Sequence, residues 1–208
     1  YDTPTAANLL ARMKQRLPPW VRIQRIQRDI PARLIAAGVR TSNVREKALA
    51  LLREGGSHCR CLRCREAGRR ATPPTDAFVL TSTEYDAARG RERFFAWEDP
   101  ATDTVAGFLR LRFPSDATPG GLDGPVIREL KVVGTEVPVG QEGSRPSDYQ
   151  HRGFGRALLE VAEEAVREAG FPCVYVTSAV GTREYYRRWG YERAGPHMAK
   201  AIFARHNP

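Results

Sequence analysis

One short stretch constrains this chain more than any other. Gln150-His151-Arg152-Gly153-Phe154-Gly155-Arg156 places two glycines at the mouth of the most regular amphipathic segment in the sequence. From Gly155 to Ala169, the residues Leu158, Leu159, Ala162, Ala165, Val166 and Ala169 recur at helical spacing, and Gly170 closes the run. Cys173 to Val176 follows as a buried strand. The spacing then predicts a short helix over Thr182–Trp189, ended by Gly190, and a last strand pair over Tyr191–Arg193 and Met198–Ala204. Ahead of the loop, strands are predicted at Phe78–Thr81, Arg93–Trp97, Val105–Phe113 and Val126–Val133. Several strands, a glycine loop, a helix, a strand, a short helix and a strand make a mixed α/β domain, its site where the strands splay.

The loop itself suggests what that site holds. Gly153 and Gly155 let the backbone turn tightly and bare consecutive N–H groups. Together with a helix N-terminus, these suit a pyrophosphate, and Arg152 and Arg156 add positive charge. No Gly-Lys-Ser/Thr follows, so this is not a Walker loop. It lies after the fourth strand of its domain, which excludes the dinucleotide fingerprint.

The first third has a different texture. Residues 1–70 carry 16 Lys and Arg against 5 Asp and Glu, and residues 71–208 carry 17 against 19. The whole excess of the +9 chain therefore sits in one segment, the asymmetry of a polyanion-binding part joined to a near-neutral domain. Arginines pair bidentately with phosphate, and Arg22, Arg25 and Arg28 recur every third residue. A helix is predicted over residues 5–16, with Thr5 as its cap and Leu9, Leu10 and Met13 on its apolar face. Pro18-Pro19 stops it. Val21–Ile23 alternates like a short strand, and Pro31–Ala37 is a short element ended by Gly38. Asn43 opens a second helix with Glu46 as its capping-box partner, Leu49 and Leu52 supply its apolar face, and Gly55-Gly56 ends it. Pro73-Pro74 marks the boundary between the two parts.

Between them lies Cys59-Arg60-Cys61-Leu62-Arg63-Cys64. Four cysteines in 208 residues exclude a disulfide scaffold. Cys-x-Cys-x-x-Cys reads as a metal site, and Cys59, Cys61 and Cys64 can wrap one zinc ion. Zinc needs four ligands. The fourth stays open among His58, a water and a residue outside this chain, while Cys173 reads as a core cysteine. No apolar run of 18 residues exists, so no transmembrane helix is expected, and neither is a signal peptide. A chain without an initiator Met is expected to be a fragment or a processed form.

The loop and its context resemble the GNAT acyltransferases, whose Q/R-x-x-G-x-G/A loop holds the pyrophosphate of acetyl-CoA. Longer runs resemble the family of Elongator catalytic subunits, which modify the wobble uridine of tRNA. Those runs are Pro18-Pro19-Trp20-Val21-Arg22-Ile23, Gln27-Arg28-Asp29-Ile30-Pro31, Ile127-Arg128-Glu129-Leu130, Tyr149-Gln150-His151-Arg152-Gly153-Phe154-Gly155 and Gly181-Thr182-Arg183-Glu184-Tyr185-Tyr186-Arg187. They span nearly the whole chain. The resemblance implies a GNAT fold, a mixed central sheet with flanking helices, over residues 75–208. It implies the basic tail of a radical S-adenosylmethionine domain over 1–56, contacting tRNA, and a zinc-binding linker over 57–74.

The implied activity is cleavage of acetyl-CoA on tRNA binding, for carboxymethylation at C5 of the wobble uridine, in the cytoplasm and with no membrane partner. The radical step needs S-adenosylmethionine and a 4Fe-4S cluster in a radical domain, in cis or in trans, because the cluster's cysteine motif is not in this chain. Acetyl-CoA would lie along Lys131, Val132 and Val133, with its pyrophosphate at Gln150, His151, Arg152, Gly153, Phe154, Gly155 and Arg156. Tyr185 and Tyr186 are the candidate proton donors to the thiolate. Neighbours on a helix diverge by about 100°, so one ring faces the sulfur and the other packs in the core. Glu129 and His151 are candidate proton acceptors, with an Arg pair for the first and phosphate or RNA contact for the second as the alternatives. Two other readings of the chain are a protein lysine acetyltransferase and a silent RNA-binding module.

Overall fold

The computed structural model describes residues 1–26, 30–69, 75, 77–115, 122–133 and 153–203. They form two compact units, Tyr1–Arg70 and Ala71–Pro208. No helix among the described residues is long and apolar enough to cross a membrane.

The first unit is built on two helices, α1 (Thr3–Gln15) and α2 (Val44–Glu54), with a one-turn α3 (Leu62–Arg65). Asp2, not Thr5, caps α1: its Oδ1 accepts the Thr5 N–H at 2.9 Å. The buried face of α1 is Ala7, Ala11 and Lys14, while Leu9 and Met13 are exposed. Small residues at positions i and i+4 let α1 approach Val44, Ala48 and Leu52, the buried face of α2. The largest apolar side chains were therefore a poor guide to the face. Val21–Ile23 is extended but forms no strand; Val21 gives its carbonyl to the Leu62 N–H instead. Pro31–Ala37 contains a single 3-10 turn, Ala32–Leu34.

The second unit is a seven-stranded mixed sheet. Its strands are β1 (Val79–Ala87), β2 (Gly90–Asp99), β3 (Thr104–Arg112), β4 (Val126–Val132), β5 (Cys173–Val176), β6 (Glu192–Ala194) and β7 (His197–Ala201), in the order β1-β2-β3-β4-β5-β7-β6. Helix α4 (Phe154–Glu168) connects β4 to β5, and the short α5 (Arg183–Arg187) follows β5. The first two strands are longer than their apolar runs suggested, because the hairpin register carries polar residues along: Val79 pairs with Glu98 and Ala87 with Gly90.

Helix α4 covers one face. Its Leu158, Leu159, Ala162, Ala165 and Val166 join Phe95, Leu109, Leu111, Ile127, Val174 and Val176 in one core. Ala169 lies beyond that stripe, exposed at the C-cap. Glu163 is buried within it, accepting from Tyr191 Oη at 2.9 Å and Lys200 Nζ at 2.7 Å. That pairing ties the β6–β7 hairpin to the helix.

Two irregularities shape β4. The pair β4–β5 is parallel and short: Val126 faces Tyr175, Ile127 faces Val176, and the Thr177 N–H reaches the Ile127 carbonyl. On the other edge of β4, Arg110 faces Glu129 and Leu111 faces Ile127, so Arg128 is an inserted residue. Such a bulge bends and twists its strand, and here it falls where the β4–β5 pairing ends. Arg128 donates to the buried Glu92 carboxylate on β2, which also takes Tyr85 Oη at 2.8 Å and Arg112 Nη1 at 3.5 Å. Burial acts to raise the Glu92 pKa, but the Tyr85 hydroxyl and the two guanidiniums outweigh it and hold the carboxyl below its usual range.

A folded-state pKa below the unfolded value means that this carboxylate contributes stability above the ordinary carboxylate range. The contribution is lost as pH falls through the depressed value. Replacing Glu92 by Ala leaves Arg112 buried without its carboxylate and is expected to cost about 3–5 kcal/mol. Urea titration at several pH values checks this: the variant should be destabilised at neutral pH and show a flatter acid limb than the wild type.

Candidate acyl-donor site and thiol cluster

At the splay, three elements meet at the N-terminus of α4. Gly153 is the N-cap, in the left-handed region at φ 82°, and brings no side-chain cap. The N–H groups of the first turn, Phe154, Gly155 and Arg156, therefore have no intrahelical acceptor and point outward at the positive end of the helix. Among the described residues, a Cβ placed on Gly153 would meet nothing within 4 Å. Gly155 is the opposite case. A Cβ there would lie 2.7 Å from Tyr185 Oη and 3.5 Å from Val132 Cγ2. Glycine at 155 is thus what lets the tyrosine hydroxyl reach the helix N-terminus beside the end of β4.

The expected residues sort by position. Val133 gives its N–H to the Ala106 carbonyl at 2.8 Å, so that donor is engaged with β3. Strand alternation then turns the backbone groups of Val132 and Leu130 to the β5 side, into the gap. Lys131 pairs across β3 with Phe108. Phe154 is wedged between Phe78 and Trp97, ring centroids 5.6 and 5.4 Å away, and so fixes the helix start on the sheet. Arg156 lies over the Trp189 ring at 4.6 Å and bonds Glu160. Gln150, His151 and Arg152 lie outside the described residues.

The two tyrosines part, as neighbours on a helix must. Tyr186 is 7% exposed and packs against Tyr191 in the core, where burial pushes its hydroxyl up to about 12. Tyr185 is the one at the gap. Its titration is also raised, chiefly by burial, with the Trp189 indole acting in the opposite sense. It is therefore protonated at neutral pH and available as a donor. Glu129 is paired with Arg110 Nε at 3.0 Å, the structural alternative to proton acceptance.

The sequence did not single out Trp97, Ser178 or Trp189. Each has a buried donor atom, Trp97 Nε1, Ser178 Oγ and Trp189 Nε1, without a hydrogen-bond partner among the described residues. Trp97 packs on Phe154 and Trp189 on Tyr185, so two of these orphans ring the start of α4. First-turn N–H groups without a side-chain cap, at the positive end of α4, fit the pyrophosphate of a ligand such as acetyl-CoA. A Trp inside an otherwise apolar stretch was the available signal, because its N–H needs a partner when buried.

In the first unit, Cys59, Cys61 and Cys64 come together as expected, all sulfurs within 4.8 Å of one another. Sulfurs sharing one tetrahedral zinc lie about 3.8 Å apart, from a Zn–S bond of about 2.3 Å. Hydrogen bonds from Cys59 and then Cys64 hold the Cys61 thiol well below its ordinary range, while the same sharing pushes Cys64 up. Lys14, 2% exposed, points its ammonium at Cys61 Sγ (3.9 Å) and Cys64 Sγ (3.7 Å). Three thiolates on a divalent ion carry one net negative charge, which a buried ammonium offsets. His58 is exposed and outside this group, and Cys173 is half-buried beside Asp123. Among the arginines expected to meet RNA, Arg22 is committed elsewhere, ion-paired to the buried Glu66 at 2.5 Å. Arg25 is exposed, and Arg28 lies outside the described residues.

Comparison with known proteins places these features. Residues 1–53 match the Radical_SAM C-terminal domain, and residues 62–191 match the Acetyltransferase (GNAT) family. Elongator complex protein 3 of Danio rerio is 41% identical over 213 residues, covering 98% of this chain and 38% of that protein. The tRNA uridine(34) acetyltransferase of Methanocaldococcus jannaschii is 39% identical, covering 97% of this chain and 39% of that protein. The chain thus spans about two fifths of the curated relatives it matches. A solved structure of Elp3 from Methanocaldococcus infernus, with an N-terminal deletion, superposes with a TM-score of 0.86 at 37% identity. It covers 97% of this chain and 49% of that one.

Replacing Gly155 by Ala puts a methyl 2.7 Å from Tyr185 Oη. The hydroxyl is the far end of a side chain and can move, so the fold is expected to survive. The added methyl crowds the helix N-terminus where the pyrophosphate would lie, so calorimetry should show coenzyme A affinity lowered roughly tenfold, about 1.4 kcal/mol, with the thermal midpoint little changed.

Proposed function

This chain belongs to the acetyltransferase (GNAT) family, and from that premise we propose that it is the acetyl-CoA-cleaving part of a tRNA-modifying enzyme. It acts when tRNA binds and serves carboxymethylation at C5 of the wobble uridine. The observation that carries the reading is the meeting of Val132, Gly155 and Tyr185 Oη at an uncapped helix N-terminus inside a β-sheet gap. The relatives' names, with matches that cover nearly all of this chain, support the tRNA part, as does the concentration of positive charge in residues 1–70.

The roles follow from position. The first-turn N–H groups after Gly153, with Arg156 close by, hold the pyrophosphate. The backbone of Val132 and Leu130 holds the pantetheine arm as an added strand would. Bound acetyl-CoA supplies the thioester. Tyr185, protonated at neutral pH, donates to the departing sulfur, and Trp189 fixes its ring. The radical step belongs to a radical S-adenosylmethionine domain with its iron–sulfur cluster, in the same polypeptide or another. With tRNA as substrate, the compartment we infer is the cytoplasm.

Acetate release from acetyl-CoA, measured with and without tRNA, tests the reading. Stimulation by tRNA is expected. Acetylation of basic peptides without any tRNA effect points instead to a lysine acetyltransferase. Tyr185→Phe should lower tRNA-stimulated cleavage by about two orders of magnitude, the scale of a general acid, with coenzyme A affinity within a few-fold. Tyr186→Phe should stay near wild type, because its ring packs in the core. Equal losses in both variants would sink the assignment to Tyr185.

For the thiol cluster we infer one zinc ion on Cys59, Cys61 and Cys64, with Lys14 as the compensating charge. Purified protein is expected to hold about one equivalent per chain. Lys14→Met should surrender that zinc to a chromogenic chelator at markedly lower chelator concentration, and Lys14→Arg should retain more of it. No zinc, with three freely reactive thiols, would refute the site.

A further inference from the structure

The first unit contains a cavity of about 370 Å³ that the acetyl-CoA site does not use. Its walls are Gln24 and Arg25 from the extended segment, Ser42, Arg45 and Glu46 at the start of α2, and Arg63 from α3. Three guanidiniums against one carboxylate make it an anion site by charge. Arg45 is pinned there: its Nη2 donates to the carbonyls of Ile23 and Gln24, each at 3.2 Å. Its Nη1 is buried and has no hydrogen-bond partner among the described residues. A buried charged donor left without an acceptor carries a desolvation penalty that an anionic ligand would remove.

The start of α2 adds to this. The expected capping box does not form, because the Asn43 side chain takes the Thr41 hydroxyl and caps nothing. Among the described residues no side chain caps the first-turn N–H groups of this 11-residue helix, which start beside Arg45.

We propose that this cavity, built by Arg25, Arg45, Arg63 and the uncapped start of α2, binds a phosphate group of an RNA backbone. Guanidiniums pair bidentately with phosphate oxygens, and an open helix N-terminus offers further donors. A backbone phosphate fits better than a lone anion because the surrounding residues 1–70 carry 16 basic side chains against 5 acidic ones. Such a surplus matches a chain of phosphates, not one. The proposal rests on tRNA being the substrate and assigns it a specific contact.

The test uses the full 208-residue chain and a tRNA transcript, with affinity measured by fluorescence anisotropy over a range of salt concentrations. Arg25→Gln and Arg63→Gln should each weaken binding roughly tenfold, about one charge-assisted bond. Each should also lower the slope of log affinity on log salt by about one, as loss of one phosphate contact does. Arg63→Lys keeps the charge and should keep the slope. An unchanged circular dichroism spectrum reports an intact fold, and Arg25 serves as the independent probe, being remote in sequence from the cysteines. Unchanged affinity and slope in both Gln variants overturn the cavity. If tRNA still stimulates acetyl-CoA cleavage in them, the proposed function stands without it. Inorganic phosphate that stabilises wild type but not Arg63→Gln, with tRNA affinity unmoved, would also overturn it in favour of a free-anion site. A wild type that binds no tRNA removes both this contact and the function it rests on.

Discussion

The gap between β4 and β5 is the constraint on which the second unit's chemistry depends. Two parallel strands pair at Val126 and Ile127 and then stop. Separation of paired strands leaves backbone donors and acceptors unmet, which a folded protein tolerates only where something else will meet them. Here the separation has a cause within the sheet. Arg128 is one residue too many opposite β3, and the bulge bends β4 as its partner strand ends. Glu92, buried on the neighbouring strand, holds the Arg128 guanidinium, and Arg112 and Tyr85 hold Glu92. A carboxylate so placed requires all of its partners, because a half-satisfied buried network is worse than an apolar one. The ion network on β1, β2 and β3 is therefore part of how the site stays open.

Everything at the site is then a consequence of what fits at the start of α4. Gly153 turns the chain with a positive φ, and Gly155 makes room for a hydroxyl. Phe154, between them, is anchored on Phe78 and Trp97, so the helix begins at one place. The glycines thus act differently, the first by conformation and the second by the absence of a side chain.

The first unit solves a different problem with a small core. Its two helices meet through alanines, and among its buried polar groups is an ammonium beside thiols. Ala11, Ala48, Leu52, Cys59 and Cys61 form one cluster, so the cysteines are part of the packing as well as a ligand set. A small helical unit gains little from such a core alone, and a metal held by the segment just beyond α2, against Lys14 of α1, would staple it.

Much of this was legible in the residues themselves. The strand order after residue 126, the helix at 154–168, the strand at 173–176 and the glycine loop follow from hydrophobic period and from glycine position, which are local properties. The three cysteines were equally legible, because their spacing alone lets them converge. Tertiary structure decided the rest, and in each case the reason is that a partner distant in sequence was needed. Nothing near Lys14 announces that it is buried; Cys61 and Cys64 make it so. Leu9 and Met13 are more apolar than Ala7 and Ala11, yet the close approach of α2 selects the small residues. Nothing near Arg22 announces its ion pair with Glu66, and the two adjacent tyrosines were distinguished only by which ring met Gly155 and which met Tyr191. The sequence by itself determined the elements and the kind of chemistry they serve, because period, turn residues and ligand spacing act within a few residues. Which side chain performs each role was decided by packing and charge pairing, because burial and an ion pair depend on neighbours that only the folded chain brings together.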